Sequence, residues 1–213
     1  TMAIFPSSAI PSGAEFTIDQ SLRFNDDDTP YLNWTPSGSG TLTTHTLSMW
    51  IKLGRIVSTY GDGSHTYPFM CRDGSGNTQA IRIRSDDTLQ WYHYAGSYQF
   101  NLNTNMLLRD PSAWMHIVAV LDSTQGTEAN RVKLYVNGVE ASLQTATYPS
   151  ADHDGLATSA IVHTLCRHSV IGDGHFDGYL AEVHFIDGTA LTPTSFGESG
   201  DYGEWKPKKV SGL

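Results

Sequence analysis

The sequence predicts an all-β protein, a two-sheet antiparallel jelly-roll sandwich. Apolar residues recur at every second position in short runs bounded by Gly, Pro, Asn and Asp, the spacing of strands that bury one face. No stretch holds the 3.6-residue apolar period of a long helix, so helices have little to pack with. Charged residues make up only 16% of the chain and aromatics 11%, so Ser, Thr, Asn, Gly and Tyr must cover much of the surface, which suits strands and turns.

Taken in order, "LSMWIKL" places Leu47, Met49, Ile51 and Leu53 on one face and Ser48, Trp50 and Lys52 on the other, as in a strand with one buried side. "AIRIR" sets Ile81 and Ile83 against Arg82 and Arg84. "TLQWYHYAGSYQFNL" reads as an aromatic hairpin turning near Gly96. "WMHIVAVLD" is hydrophobic throughout, as a central strand covered on both sides would be. "RVKLYVNG" alternates Val132, Leu134 and Val136 with Lys133 and Tyr135, and Asn137-Gly138 turns it into "VEASLQT". "GYLAEVHFID" is the closing strand, ended by Asp187-Gly188. The apolar faces of residues 47 to 53 and 131 to 137 are expected on opposite sheets. "STYGDGSHTYP" and "TYPSADHDGLATSAIVH" are loops, where function tends to sit. "LTPTSFGE" can form a helical turn after Pro193, and "EWKPKKVSGL" has no evident partner strand.

A chain of 213 residues fits one sandwich domain, expected over residues 1–205 with a short lead-in, leaving 206–213 as a tail leading into further chain. A net charge of -9 with 13 Lys plus Arg excludes a phosphate-binding stripe and hence nucleic acid as the partner. No apolar run reaches the length of a membrane span, and Met2 to Gly13 lacks the pattern of a signal peptide. Cys71 and Cys166 are too sparse for a disulfide framework and are expected as free buried thiols.

"SLRFNDDDTPYL", "TLSMWIKLG", "RDPSAWMHIVAVLDSTQGTEANRVKLYVNGVE" and "FDGYLAEVHFIDGTALTPTSFGE", in that order and spacing, resemble the concanavalin A-like lectin/glucanase superfamily in its laminin G-like form. The resemblance is nearest to the version found in structural proteins of tailed phages, and it runs from about Ser21 to Trp205. It implies two curved antiparallel sheets packed face to face. For function it implies a lectin, a glycosidase, a lyase or a structural module, since one sandwich carries all of these.

Retaining glucanases of that superfamily carry Glu-x-Asp-x-Glu on one strand, pairing nucleophile and acid. Here Glu182 has Leu180 and His184 two residues away, so the pair is missing and Glu182 reads as a structural acid. "YHYAGSYQF" resembles a phrase of alginate lyases but lacks its Lys and its companion phrases.

The same hairpin reads more naturally as a surface. If Tyr94 pairs with Tyr98, strict alternation puts Tyr92, Tyr94, Tyr98 and Phe100 on one face, expected as core. It puts Trp91, His93, Gln99 and Asn101 on the other, a sugar platform of aromatic plate and hydrogen-bonding groups. Trp91 packed under a loop is the alternative, and a register slip would exchange the faces. Trp50 either joins this platform or packs beneath a loop. Trp34 and Trp114 match positions where the family places packing aromatics.

Many sandwiches of the superfamily bind calcium through loop carboxylates. Asp26, Asp27 and Asp28, or Asp173 and Asp177, are the candidates, although clustered Asp and Gly are also ordinary turn chemistry. His163, Cys166 and His168 have zinc-like spacing but need a fourth ligand. The expected function is therefore a non-catalytic carbohydrate-binding or adhesion module of a phage virion, assembled in the host cytoplasm. Its expected partners are host-surface glycans and other virion proteins, with homo-oligomerisation left open. A purely structural module and a polysaccharide lyase are the alternatives.

Overall fold

A computed structural model describes residues 16–61, 64–168 and 174–212. In chain order the strands are β1 (Leu22–Phe24), β2 (Leu32–Trp34), β3 (Thr44–Leu53), β4 (Thr66–Arg72) and β5 (Thr78–Ile83). They continue with β6 (Thr88–Tyr94), β7 (Tyr98–Leu107), β8 (Trp114–Asp122), β9 (Val132–Val136) and β10 (Val139–Glu140). The remainder are β11 (Leu143–Thr147), β12 (His163–Leu165), β13 (Gly178–Asp187), β14 (Gly197–Ser199) and β15 (Trp205–Pro207). The architecture is the all-β jelly-roll sandwich that the alternation predicts.

A six-stranded sheet runs β1-β13-β3-β8-β9-β10 and a seven-stranded sheet runs β11-β7-β6-β5-β4-β12-β2, every pairing being antiparallel. Leu47, Met49, Ile51 and Leu53 of β3 meet Ile81, Ile83, Leu89, Trp91, Phe100 and Leu102 of the opposite sheet in one core. Val132, Leu134 and Val136 of β9 join it. The strands containing residues 47–53 and 131–137 thus share a sheet, with β8 between them, contrary to the expectation. Both apolar faces are satisfied by the seven-stranded sheet opposite, so opposite placement is not required.

The turns follow local chemistry. Asn137 and Gly138 have φ of 49° and 80°, the left-handed pair of a type I′ turn, which joins β9 to β10 with Val136 opposite Val139. Beyond Glu140 the chain leaves this hairpin, and β11 pairs with β7 in the other sheet.

β8 is buried on both faces because a roof lies over the six-stranded sheet. Val118, Val120 and Phe196 form a second apolar layer with Tyr135, Ile186, Leu191 and Val210. The helical turn expected after Pro193 spans Pro193–Ser195 and leads into β14, which pairs with β15. The "EWKPKK" segment therefore does have a partner strand, and a boundary at residue 205 would cut through β15.

Cys71 and Cys166 are free and fully buried, and burial pushes both thiols well above their ordinary value. Neither is expected to react with a maleimide in the native protein at neutral pH, and both should react in denaturant. Rapid labelling of the native state, or no labelling in denaturant, would contradict this arrangement.

Candidate functional site

Across the seven-stranded sheet, paired residues form rows that face away from the core. One row crosses all seven strands: Asn33, Thr164, Met70, Ala80, Tyr92, Asn101 and Thr147. On one side of it lie Arg82, Gln90, Asn103 and Thr145, and on the other Arg72, Thr78, Tyr94 and Tyr98. Period-two strands place these residues together, since Ile81, Ile83, Leu89, Trp91 and Leu102 take the inward positions between them.

Ala80, the small residue in the middle, lies in an apolar floor with Met70, Tyr67 and Tyr92. Over that floor the polar groups are linked. Arg82 donates from Nε to Gln90 Oε1 at 2.5 Å and from Nη1 to the Tyr67 hydroxyl at 3.3 Å. Gln90 Nε2 donates to Asn101 Oδ1 at 2.6 Å. The Arg82 guanidinium also lies 4.7 Å from the Tyr92 ring centre, within cation–π range. With its amide oriented to suit both neighbours, Asn103 accepts from Arg84 Nη1 at 2.6 Å and donates to Thr88 Oγ1 at 2.9 Å.

At the hairpin end Tyr98 sits edge-on to both Tyr92 and Tyr94, with ring centres 5.8 and 5.5 Å away. Tyr94 and Tyr98 are 41% and 42% exposed, so their rings can be touched from solvent. In this array the rings of Tyr94 and Tyr98 can thus stack on an apolar ring face beside the half-buried Arg82, while Gln90 and Asn101, only 2% and 8% exposed, act by holding Arg82 in place.

This array differs from the expected platform. Trp91 is 1% exposed and His93 is buried with it on the inward side, so the expected faces are exchanged for Trp91, Tyr92, His93, Tyr94 and Tyr98, whereas Phe100 is core and Asn101 faces away from it as expected. Tyr94 does pair with Tyr98 across the loop 95–97, where Gly96 takes φ 75°. The next pair, however, is His93 with Phe100. Gln99 is the extra residue of a bulge, which turns Phe100 inward and Asn101 outward. The inward face could have been read from β5: Ile83 and Ile81 pair with Leu89 and Trp91, and cross-strand partners share a side. Tyr67, Arg82, Gln90 and Asn103 were missed because their strands were read singly.

Trp50 belongs to the other sheet and is 4% exposed, stacked on His116 at 4.8 Å, so it cannot join the array. Trp205 of the roof donates its indole N–H to His116 Nδ1 at 3.0 Å. An indole nitrogen can only donate, so neutral His116 carries its proton on Nε2 and donates to Ser48 Oγ at 2.8 Å. Beside this stack Trp50, Trp114 and Trp205 line a cavity of about 480 Å³ with Asp19, Gln20 and Lys206. Trp34 and Trp114, read as packing aromatics, are each over one-third exposed; Trp34 stacks on His163 at 5.0 Å.

Among the described residues three of the calcium candidates, Asp26, Asp28 and Asp177, already have partners in the chain. Asp26, Asp27 and Asp28 form one 3-10 turn, in which Asp26 faces Arg55 at 4.0 Å and Asp28 accepts from Asn25. Asp177 is ion-paired with Arg23 at 2.6 Å, and Asp173 lies outside the described residues. Both ring nitrogens of His163 lie against backbone carbonyls, those of Ala157 and Ile161, rather than facing a site shared with Cys166 and His168. Among the described residues no three His, Cys, Asp or Glu side chains gather to hold a metal ion. Glu182 stands in the bulge of β13, 3.1 Å from His184. Among the described residues no helix is long and apolar enough to cross a membrane.

A family model described as the concanavalin A-like lectin/glucanases superfamily, laminin G type, matches residues 26–195. No curated protein matches the chain in sequence. Among solved structures, a native heptameric SAP-like pentraxin from Limulus polyphemus is similar at 19% identity and a TM-score of 0.52, covering 80% of this chain and 76% of its own. Domain 4 of the arabinanase AbnA from Geobacillus stearothermophilus, in complex with arabinotriose, is similar at 18% identity and 0.50, covering 71% and 64%. The CBM40 of a Ruminococcus gnavus sialidase, bound to alpha2,3 sialyllactose, is similar at 10% and 0.52, covering 84% and 94%. At these identities the likeness is one of fold.

Proposed function

The chain belongs to the concanavalin A-like lectin/glucanase superfamily, and on that footing we propose that it is a non-catalytic carbohydrate-binding module with its ligand on the outer face of the seven-stranded sheet. The observation that carries this reading is the array itself: exposed Tyr94 and Tyr98 beside Arg82, Gln90 and Asn101, already held by hydrogen bonds to one another. Groups fixed before the ligand arrives lose little freedom on binding. Two of the similar structures hold sugars, arabinotriose and alpha2,3 sialyllactose, which accords with the reading.

Tyr92 is poorly suited to act as a base. Burial pushes its phenol upward, whereas a tyrosine acting as base at neutral pH needs the opposite shift. The finer assignment, an adhesive module on a tailed-phage virion that meets host glycans and neighbouring virion proteins, is supported by the run of phrases from Ser21 to Trp205.

A glycan array with the soluble chain tests the reading. Binding is expected, and Tyr98→Ala and Tyr94→Ala should each weaken it by about tenfold or more, roughly 1.4 kcal/mol, with the melting temperature nearly unchanged. Wild-type affinity in both folded variants would move the site elsewhere. No binding to any glycan would favour a structural module.

A further inference from the structure

The two sheets differ in charge. The chain carries a net charge of -9, yet β2, β4, β5, β6, β7, β11 and β12 contain no Asp or Glu. Their charged residues are Arg72 and Arg82, both on the outward face with the tyrosines. The six-stranded sheet, by contrast, carries both signs in its strands, Asp122, Glu140, Glu182 and Asp187 with Arg23, Lys52 and Lys133. Arg84, just past β5, approaches Asp86 at 3.7 Å.

Among the described residues neither Arg72 nor Arg82 has a carboxylate within ion-pair distance. Arg82 is half-buried, and its Nε and Nη1 are held by Gln90 and Tyr67. A guanidinium withdrawn from water without a counter-ion is unfavourable, and a fixed planar fork matches a carboxylate with two parallel hydrogen bonds. Beside it His65 is held neutral, down at about 4, by burial and then by the positive charges of Arg82 and Arg84.

We propose that this face selects a carboxylate-bearing glycan, built of uronate or sialic acid units, whose acid group pairs with the Arg82 guanidinium while Tyr94 and Tyr98 take the ring faces. This rests on the carbohydrate-binding reading and specifies its ligand. Arg72, in the same row as the two tyrosines, extends the positive surface along an acidic chain.

An array that pairs hexuronate oligomers with their methyl esters, and sialylated oligosaccharides with their desialylated forms, tests this on the intact chain. Binding is expected to favour the acids by about tenfold or more and to weaken as sodium chloride is raised, since exposed charge pairs are screened. Arg82→Gln should remove most of that preference, Arg82→Lys should retain part of it, and Arg72→Gln should reduce it with the array's floor untouched. Equal binding of acids and their neutral partners overturns the charge selection and leaves carbohydrate binding standing. Preference unchanged in folded Arg82→Gln and Arg72→Gln variants overturns the assignment to these arginines. Absence of binding across the whole array overturns both.

Discussion

Trp91→Ala is expected to destabilise the domain by roughly 3–5 kcal/mol, as truncation of a fully buried large aromatic does. Trp91 packs between cross-strand neighbours Ile81 and Leu102, with the Phe100 ring at 4.8 Å and the His45 ring edge-on at 6.2 Å. Rigid strands on both sides cannot collapse into the space, so the cost includes the cavity as well as the lost transfer energy. That is a large share of the stability of an ordinary domain. Tyr98→Ala, on the opposite face and 42% exposed, should cost about 1 kcal/mol or less. Urea unfolding of the two variants decides the matter: a stable Trp91→Ala beside an unfolded Tyr98→Ala would show that the faces are the other way round.

Lowering the pH should unfold the domain while most carboxylates are still ionised. Burial holds His45 down at about 3, and His93 and His116 at about 4. At His45 and His116 geometry enforces the neutral form. Gln79 directs its amide nitrogen at His45 Nε2 at 3.0 Å while its oxygen accepts from Leu156 and Ala157 N–H, so His45 Nε2 must accept. His93 is hydrogen-bonded to His153 at 2.9 Å, and His116 Nδ1 accepts from Trp205.

In the unfolded chain these rings titrate near 6.5. Above that pH both states are neutral and no stability changes hands. Below it the unfolded chain takes up protons that the folded one refuses, so stability falls with pH until the folded values are reached. Each ring contributes a slope of about 1.4 kcal/mol per pH unit, and the three together roughly 4. The urea midpoint should therefore be flat from pH 8 to 7 and drop steeply between about pH 6 and 4. A midpoint unchanged from pH 7 to 5 would contradict the neutral assignment of these histidines.

Much of the fold was legible because alternation is a local property. Ile81 and Ile83, or Val132, Leu134 and Val136, announce their buried side without reference to any partner. Which sheet a strand joins depends instead on contacts between residues distant in sequence, so β3 and β9 could not be assigned from their patterns. The site was less legible for a similar reason. Register carried through the turn of the β6–β7 hairpin and failed at Gln99, where one extra residue reversed every later position. Aromatic content then misled the choice of core, because Tyr92, Tyr94 and Tyr98 looked like packing residues while Trp91 looked like a plate. Trp50 and Trp205 escaped because a second apolar layer over one sheet requires the β14–β15 pairing, which three-residue strands do not signal.

That second layer also makes the domain directional. One outer surface is closed by the β14–β15 hairpin, latched through Trp205 to His116, and the other presents the exposed rings of Tyr94 and Tyr98. The molecule consequently has a back and a front, and a glycan held at the front would always be met in the same orientation relative to residues 205–207, a vectorial arrangement that a sandwich with two equivalent faces would lack.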